Sequence, residues 1–333
     1  MSIFLIAEVG NAHDGSLGIA HSYIDAAAEA GVDAVKFQVH IAEAESSEHE
    51  PFRVKFSVED PTRYDYWKRM EFTPVQWAGL KNHCTEKGVE FMASPFSKAA
   101  VDLLESIGVQ RYKIGSGEVN NLLMLEKIAQ TGKPIILSSG MSSMPELDAT
   151  LAFLKPFGNE LSILQCTTAY PTLPQQWGLN VMVEMQERYQ VPVGFSDHSG
   201  DIFACLAAAT MGASILEFHI VFDKKMFGPD APASLMPAQI KTLVLGVRQI
   251  ETALSHPVDK QDISAFRALK NMFEKSLAVN KDLPAGHPIS FEDLESKKPT
   301  GHGIPANLFQ EILGRKLARS LKRYDFLAEK DLQ

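Results

Sequence analysis

The run Phe4-Leu-Ile-Ala-Glu8 is the first of eight short apolar stretches, each breaking off into a polar or charged residue. The others are Ala34-Val-Lys-Phe-Gln38, Glu90-Phe-Met-Ala-Ser94, Arg111-Tyr-Lys-Ile-Gly115, Pro134-Ile-Ile-Leu-Ser138, Leu161-Ser-Ile-Leu-Gln-Cys166, Val191-Pro-Val-Gly-Phe-Ser196 and Ile215-Leu-Glu-Phe-His219. Stretches of helical period lie between them, so a βα unit recurs eight times, and the pattern predicts an α/β chain folded as a (β/α)8 TIM barrel. A closed parallel barrel gathers the C-terminal ends of all its strands on one face, where active sites of this architecture sit. Glu8, Lys36, Gln38, Ser94, Lys113, Ser138, Ser196, His198 and His219 are therefore expected to converge on one mouth.

The chain of 333 residues leaves roughly 70 for a second unit after a barrel of about 250. Its 45% hydrophobic and 22% charged composition is that of a soluble globular protein. A formal charge of −9 argues against nucleic acid or an anionic membrane as partner, so an anionic ligand must be drawn in by local groups. No apolar run approaches the roughly 20 residues of a membrane span, and no signal peptide is expected, since a strand begins at once. Cys84, Cys166 and Cys205 are few, odd in number and far apart, which reads as reduced thiols and a cytoplasmic location.

The first helix is expected at about Leu17 to Ala30, stopping at Gly31. After the second strand comes a long excursion, Ile41 to Glu71, rich in charge and aromatic residues; a connection of that length is usually functional. Thr73-Pro74 starts the next helix as N-cap and first residue. Further helices are expected near 98–107, 121–131, 145–156, 178–189, 200–211 and 237–254. The barrel thus occupies 1–256, a partly helical linker 257–275, and a small β-rich module 276–333 with strand-like pieces at Ser276 to Val279 and Leu317 to Leu321.

Three constellations carry chemistry. His198 and His219 follow adjacent strands, and two such imidazoles can hold a divalent ion with open positions, Asp197 or Glu217 orienting a ring; otherwise each histidine hydrogen-bonds a neighbouring loop. Lys36 and Lys113 lie within apolar strands, where an ammonium needs an anion: either a bound phosphate or carboxylate, or ion pairs with Glu8, Glu118 or Glu217. The turn Gly115-Ser116-Gly117 with Ser138 and Ser196 suits phosphate oxygens. A desolvated lysine can also form a Schiff base with a carbonyl substrate. Glu8, Glu118 and Asp230 form a carboxylate rim for sugar hydroxyls or a proton, or serve as helix caps and turn formers. Tyr170 offers an aromatic face at the mouth or anchors its loop. His13 is placed near the pocket, His83 on the surface, and His21 and His40 have no assigned partner.

These stretches resemble the N-acetylneuraminate (sialic acid) synthase family, including the legionaminate and pseudaminate synthases. The resemblance rests on Ala7-Glu-Val-Gly10 with His13 and Gly15, Val35-Lys-Phe-Gln38, Ser94-Pro-Phe-Ser97, Tyr112-Lys-Ile-Gly-Ser-Gly-Glu118 and Leu137-Ser-Ser-Gly-Met141. It continues through Cys166-Thr-Thr-Ala-Tyr-Pro171, Gly194-Phe-Ser-Asp-His198, Glu217-Phe-His219 and Gly228-Pro-Asp230. It implies a barrel followed by an antifreeze-like (SAF) domain, in a domain-swapped homodimer, condensing phosphoenolpyruvate with an N-acylated hexosamine such as N-acetylmannosamine. By the same resemblance Lys36, Lys113, Ser116, Ser138 and Ser196 hold phosphoenolpyruvate, and Ser94 and Lys298 are further substrate-binding positions. His198 and His219 hold a divalent metal, typically manganese with magnesium or cobalt as alternatives. Gln38, Glu118, Tyr170 and Asp230 hold the sugar, and Glu8 assists at the reacting centre. The family's Arg-Pro-Gly-x-Gly turn is here Lys298-Pro-Thr-Gly-His-Gly303, and a Lys cannot copy the bidentate fork of Arg. Ala12, Gln165 and Thr168 also depart from the usual residues. A Schiff-base aldolase and a non-catalytic carbohydrate-binding protein are the competing readings.

Overall fold

The computed structural model describes residues 2–54, 56 and 59–333, so Lys55, Ser57 and Val58 of the long excursion lie outside the described residues. All eight expected strands form: β1 (Phe4–Gly10), β2 (Ala34–Val39), β3 (Glu90–Pro95), β4 (Tyr112–Ile114), β5 (Ile135–Ser138), β6 (Leu161–Cys166), β7 (Val193–Asp197) and β8 (Ile215–His219). They pair in parallel and in chain order, and β8 returns to β1 to close the barrel. The helices are α1 (Leu17–Ala30), α2 (Ala42–Glu45), α3 (Arg63–Met70), α4 (Pro74–Glu86), α5 (Lys98–Ile107), α6 (Leu122–Ala129), α7 (Met144–Leu154), α8 (Leu179–Tyr189), α9 (Phe203–Thr210) and α10 (Pro237–Ser255).

The local signals act as read. Gly31 ends α1 in the left-handed region at φ 88°, and Thr73 caps α4 through the backbone N–H of Gln76. α2 and α3 lie inside the long excursion, and a capping box of Thr62 and Asp65 starts α3. Tyr66, Trp67 and Met70 of α3 pack with Ala42 of α2 into a small apolar cluster.

Strand alternation stacks the barrel interior in storeys. Ile6, Ala34, Met92, Ile136, Leu164 and Ile215 form one apolar cluster that plugs the barrel. Two positions further along each strand, on the same face, stand Glu8, Lys36, Ser94, Ser138, Cys166 and Glu217. Two further again come Gly10, Gln38, Gly140, Thr168 and His219. The apolar storey is a dry floor, the next a charged layer, and the third opens to the mouth.

Residues 257–333 form a second unit. There β9 (Ser276–Val279) pairs antiparallel with β10 (Leu294–Lys297) over a core of Leu277, Val279, Leu283, Ile289, Ile312, Leu317, Leu321 and Leu327. The expected strand at Leu317 to Leu321 is replaced by isolated bridges, Leu317 to Leu332 and Leu321 to Leu283. Leu317 and Leu321 are buried while Ala318, Arg319 and Ser320 between them are exposed, whereas a half-buried strand would have turned Arg319 to the same face as the two leucines. The partner of β9 is β10, which the sequence reading missed. Within 257–275 the structure has a helix, α11 (Arg267–Phe273).

At Gly194 in β7, a Cβ would lie 2.3 Å from the Ile215 carbonyl oxygen and 2.7 Å from Leu164 Cδ2. Gly194→Ala is expected to destabilise the barrel by about 1–3 kcal/mol in urea unfolding. Gly79→Ala in α4, with nothing within 4 Å of the added carbon, should stabilise by about 0.5–1 kcal/mol.

Candidate active site

The charged layer is knit by one carboxylate. Glu217 Oε1 lies 3.2 Å from Lys113 Nζ and 3.6 Å from Lys36 Nζ, and accepts a hydrogen bond from Ser196 Oγ at 3.2 Å. Lys36 Nζ also sits 2.8 Å from Glu8 Oε2 and donates to Ser94 Oγ at 3.4 Å. Lys113 donates to Ser138 Oγ at 2.7 Å. All of these side chains are buried. The lysines thus pair with Glu8 and Glu217; Glu118, the third carboxylate considered for them, has Asn121 as its hydrogen-bond partner. Burial pulls both ammonium groups down, and for Lys113 it prevails; around Lys36 the carboxylates of Glu217 and Glu8 outweigh it and raise the pKa.

Beside this layer the two imidazoles meet, His198 and His219, with ring centres 5.3 Å apart and planes inclined at 52°. His198 Nδ1 donates to the Thr167 carbonyl at 2.9 Å, which leaves Nε2 free. β1–β8 pairing sets His219 beside Glu8. Burial lowers the His219 pKa, favouring the neutral ring that ligates metals. Burial acts the same way on His198, but Cys166 and the Thr167 carbonyl outweigh it and raise the ring to about 9. Neither expected orienting carboxylate serves: Asp197 accepts from the N–H and Oγ of Ser199, and Glu217 is committed to the lysines. Among the described residues no group of three or more His, Cys, Asp or Glu is arranged to hold an ion. What the site offers a cation is a pair of imidazoles with ring centres 5.3 Å apart, a donor type that divalent ions accept.

Above lies a cavity of about 510 Å³. Gln38, Ser116, Glu118, Tyr170 and Asp230 line it, five of the residues singled out in the sequence. Tyr170 stacks on His198 with ring centres 4.1 Å apart, joining cavity to imidazoles. Ser116 Oγ accepts from the Gly140 N–H at 3.0 Å. Burial raises the pKa of Glu118, so this carboxyl can carry a proton nearer neutrality than a free one. Lys298 belongs to the second unit, its Nζ 4.5 Å from the Phe273 ring centre.

The cavity also holds residues the sequence reading did not single out. Arg53 donates to Asp230 Oδ1 at 2.7 Å and lies 4.1 Å above the Tyr170 ring. His40 and Glu45 line the same space. For Arg53 and Glu45 the signal was the length and charge of the excursion, which marked the segment without marking the residues; His40, just before it, was named without a partner. His13, expected near the pocket, is instead fully buried against Phe72 and Phe37, with Nδ1 accepting from the Gly15 N–H and burial lowering it to about 3. His83, expected on the surface, is half-buried between His21 and Asp25.

A model of the NeuB family matches residues 23–259, and one of the SAF domain matches 274–333. The chain belongs to the NeuB family. Its members are phosphoenolpyruvate-dependent condensing transferases, and the chain is an enzyme of that acid-synthase type. It is 34% identical over 331 residues to the N,N'-diacetyllegionaminic acid synthase of Campylobacter jejuni subsp. jejuni serotype O:2, covering 98% of each chain. It is 33% identical to the N-acetylneuraminate-9-phosphate synthase of Mus musculus, over 99% of this chain and 92% of that one. Among solved structures, the N-acetylneuraminic acid synthetase of Leptospira borgpetersenii serovar Hardjo-bovis superposes with a TM-score of 0.71 at 30% identity, over 81% of this chain and 91% of that one. None of the described helices of this NeuB-family chain is long and apolar enough to cross a membrane.

Burial alone would raise the Glu217 carboxyl, yet Lys113 and Lys36 hold it down to about 2 from an ordinary 4.5. A depressed carboxyl stabilises the fold fully above its unfolded value and loses that contribution as pH falls towards its folded one. Unfolding free energy should fall between pH 4.5 and about 2, and Glu217→Gln should flatten that limb. Glu217→Ala, which leaves the buried Lys113 ammonium without its carboxylate partner while Lys36 keeps Glu8, is expected to cost about 3–5 kcal/mol in urea unfolding.

Proposed function

We propose that the chain is a metal-dependent nonulosonic acid synthase, condensing phosphoenolpyruvate with an N-acylated hexosamine such as N-acetylmannosamine and releasing phosphate. The observation that carries this reading is the nearness of an ammonium pair, an imidazole pair and a sugar-sized cavity in one barrel mouth. Lys36 and Lys113, with the hydroxyls of Ser94, Ser116, Ser138 and Ser196, bind the phosphate and carboxylate of the enolpyruvyl substrate. Gln38, Glu118, Tyr170 and Asp230 hold the open-chain sugar so that its aldehyde carbon faces the enol carbon, an orientation worth several orders of magnitude in rate. His198 and His219 would hold the divalent ion, manganese first among candidates, which supplies Lewis acidity towards the aldehyde oxygen.

In the reaction the enol carbon attacks the aldehyde, water adds at the former enol C–O carbon, and phosphate departs by C–O cleavage. The ammonium groups stabilise the charge that gathers on the leaving phosphate. Glu8, hydrogen-bonded to Gln38 and paired with Lys36, stands between the two substrates and can steer a proton at that junction. Described residues of the long excursion, Glu50, Phe52, Arg53, Tyr66 and Trp67 among them, form part of the cavity wall.

A homodimer in which the SAF domain reaches the partner's barrel belongs to the same reading. It is supported by the exposed Ile263, Phe266, Leu269, Met272 and Phe273, an apolar run that calls for cover. A cytoplasmic location is supported by three buried, unbridged cysteines.

The test is phosphate release from phosphoenolpyruvate with manganese, against N-acetylmannosamine, its 6-phosphate and bacterial diacetamido sugars. Release with at least one sugar, abolished by chelator, is expected; none with any sugar sinks the proposal. His219→Ala should abolish turnover while circular dichroism stays native. Lys113→Ala should raise the phosphoenolpyruvate KM by about tenfold or more, the scale of a lost charged hydrogen bond. Activity surviving chelator, together with borohydride trapping of a ketone on a lysine, would instead identify a Schiff-base aldolase.

A further inference from the structure

His40 is buried, yet it lines the cavity. Its ring is sandwiched between Trp67, 3.9 Å away and inclined by 17°, and Phe96, 4.4 Å away and inclined by 15°. Nδ1 meets Glu45 Oε1 at 2.6 Å, and the other oxygen of Glu45 accepts from the Ile41 N–H at 3.2 Å. The carboxylate is thus anchored at the foot of α2, and the imidazole is held on both faces and at one edge. Nothing in packing alone requires a histidine there, since a buried imidazole with a carboxylate is costly unless its hydrogen bonds are used.

The other edge shows the use. Since the Glu45 carboxylate can only accept, Nδ1 carries the ring proton there and Nε2 is left as an acceptor; Asn11 Nδ2 lies 3.4 Å from Nε2 and donates to Gln38 Oε1 at 3.0 Å. With its oxygen turned to the Asn11 NH2, the Gln38 amide can present only its own NH2 to Glu8, and Gln38 Nε2 donates to Glu8 Oε1 at 2.9 Å. Polar contacts therefore run unbroken from Glu45 through His40, Asn11, Gln38 and Glu8 to Lys36. A free glutamine amide reverses its ends at little cost, so a site that must offer a sugar one fixed arrangement needs such a lock.

We propose that Glu45 and His40 are a positioning pair for the hexosamine subsite. They fix the Gln38 amide with its oxygen towards Asn11 and its NH2 towards Glu8, and so govern affinity for the sugar rather than for phosphoenolpyruvate. This rests on the synthase reading of the same cavity.

The experiment compares the full chain with His40→Ala and Glu45→Gln. Both variants should raise the hexosamine KM by about tenfold and move the phosphoenolpyruvate KM by less than about twofold. Millimolar imidazole should refill the slot between Trp67 and Phe96 in His40→Ala and bring the hexosamine KM back towards wild type, which a folding defect would not allow. An unmoved hexosamine KM overturns the proposal, as does a joint rise of both KM values without imidazole rescue. Calorimetric titration with hexosamine alone separates this from the synthase reading. If wild type releases no phosphate yet binds a hexosamine, weaker binding by His40→Ala upholds the positioning pair and equal binding overturns it. Wild type that binds no hexosamine at all overturns both.

Discussion

Glu217 is the contact on which the site depends. Two ammonium groups inside a barrel would repel each other and lose their hydration, at a cost of several kcal/mol each. One carboxylate oxygen, shared between Lys113, Lys36 and Ser196, makes their burial tolerable, and Glu8 supplies the second counter-charge. The layer is neutral within itself, because two carboxylates face two ammonium groups. Its donors stay fixed in place for an anion instead of collapsing onto solvent, and the apolar floor of Ile6, Met92, Ile136, Leu164 and Ile215 keeps water from entering below.

The barrel and the long excursion do different work around that layer. The strands set the charged groups and imidazoles by register: Glu8 pairs with both Lys36 and His219, and Ser196 with Glu217. The excursion brings aromatic and charged side chains over the mouth. Arg53 binds Asp230 and covers Tyr170, while Trp67 and Phe96 hold His40 between them. On the synthase reading proposed above, rigid strands would suit the phosphorylated substrate, and a wall built by a connecting segment would suit the sugar, since such segments vary more readily than the strands they join.

The strands and their terminal polar residues were legible because a barrel strand has one rule, period two, and a polar residue in an apolar run has few reasons to be there. Lys36, Lys113 and Glu217 broke that pattern, and all three proved to be neighbours. Glu45 and Arg53 were not legible, because a single sequence shows that a 31-residue excursion exists without showing how it folds back, nor that its Glu45 and Trp67 return to His40. His13 misled for a related reason: its loop position suggested the pocket, but Phe72, nearly 60 residues on, buries it. In the second unit, the four-residue spacing of Leu317 and Leu321 looked like a strand, while the real partner of β9 was the weakly patterned Leu294–Lys297.

By itself the sequence determined the eightfold βα order, the helix starts and stops, and the face of each strand carrying polar groups, since all of these follow from spacing along the chain. Only the tertiary structure decided which carboxylate neutralises which lysine, that Asp197 serves a turn while Glu217 serves the cations, and that His40 is clasped by Glu45. Those choices depend on distances between segments far apart in sequence, and they are settled by which pairings leave the fewest buried charges without a counter-charge.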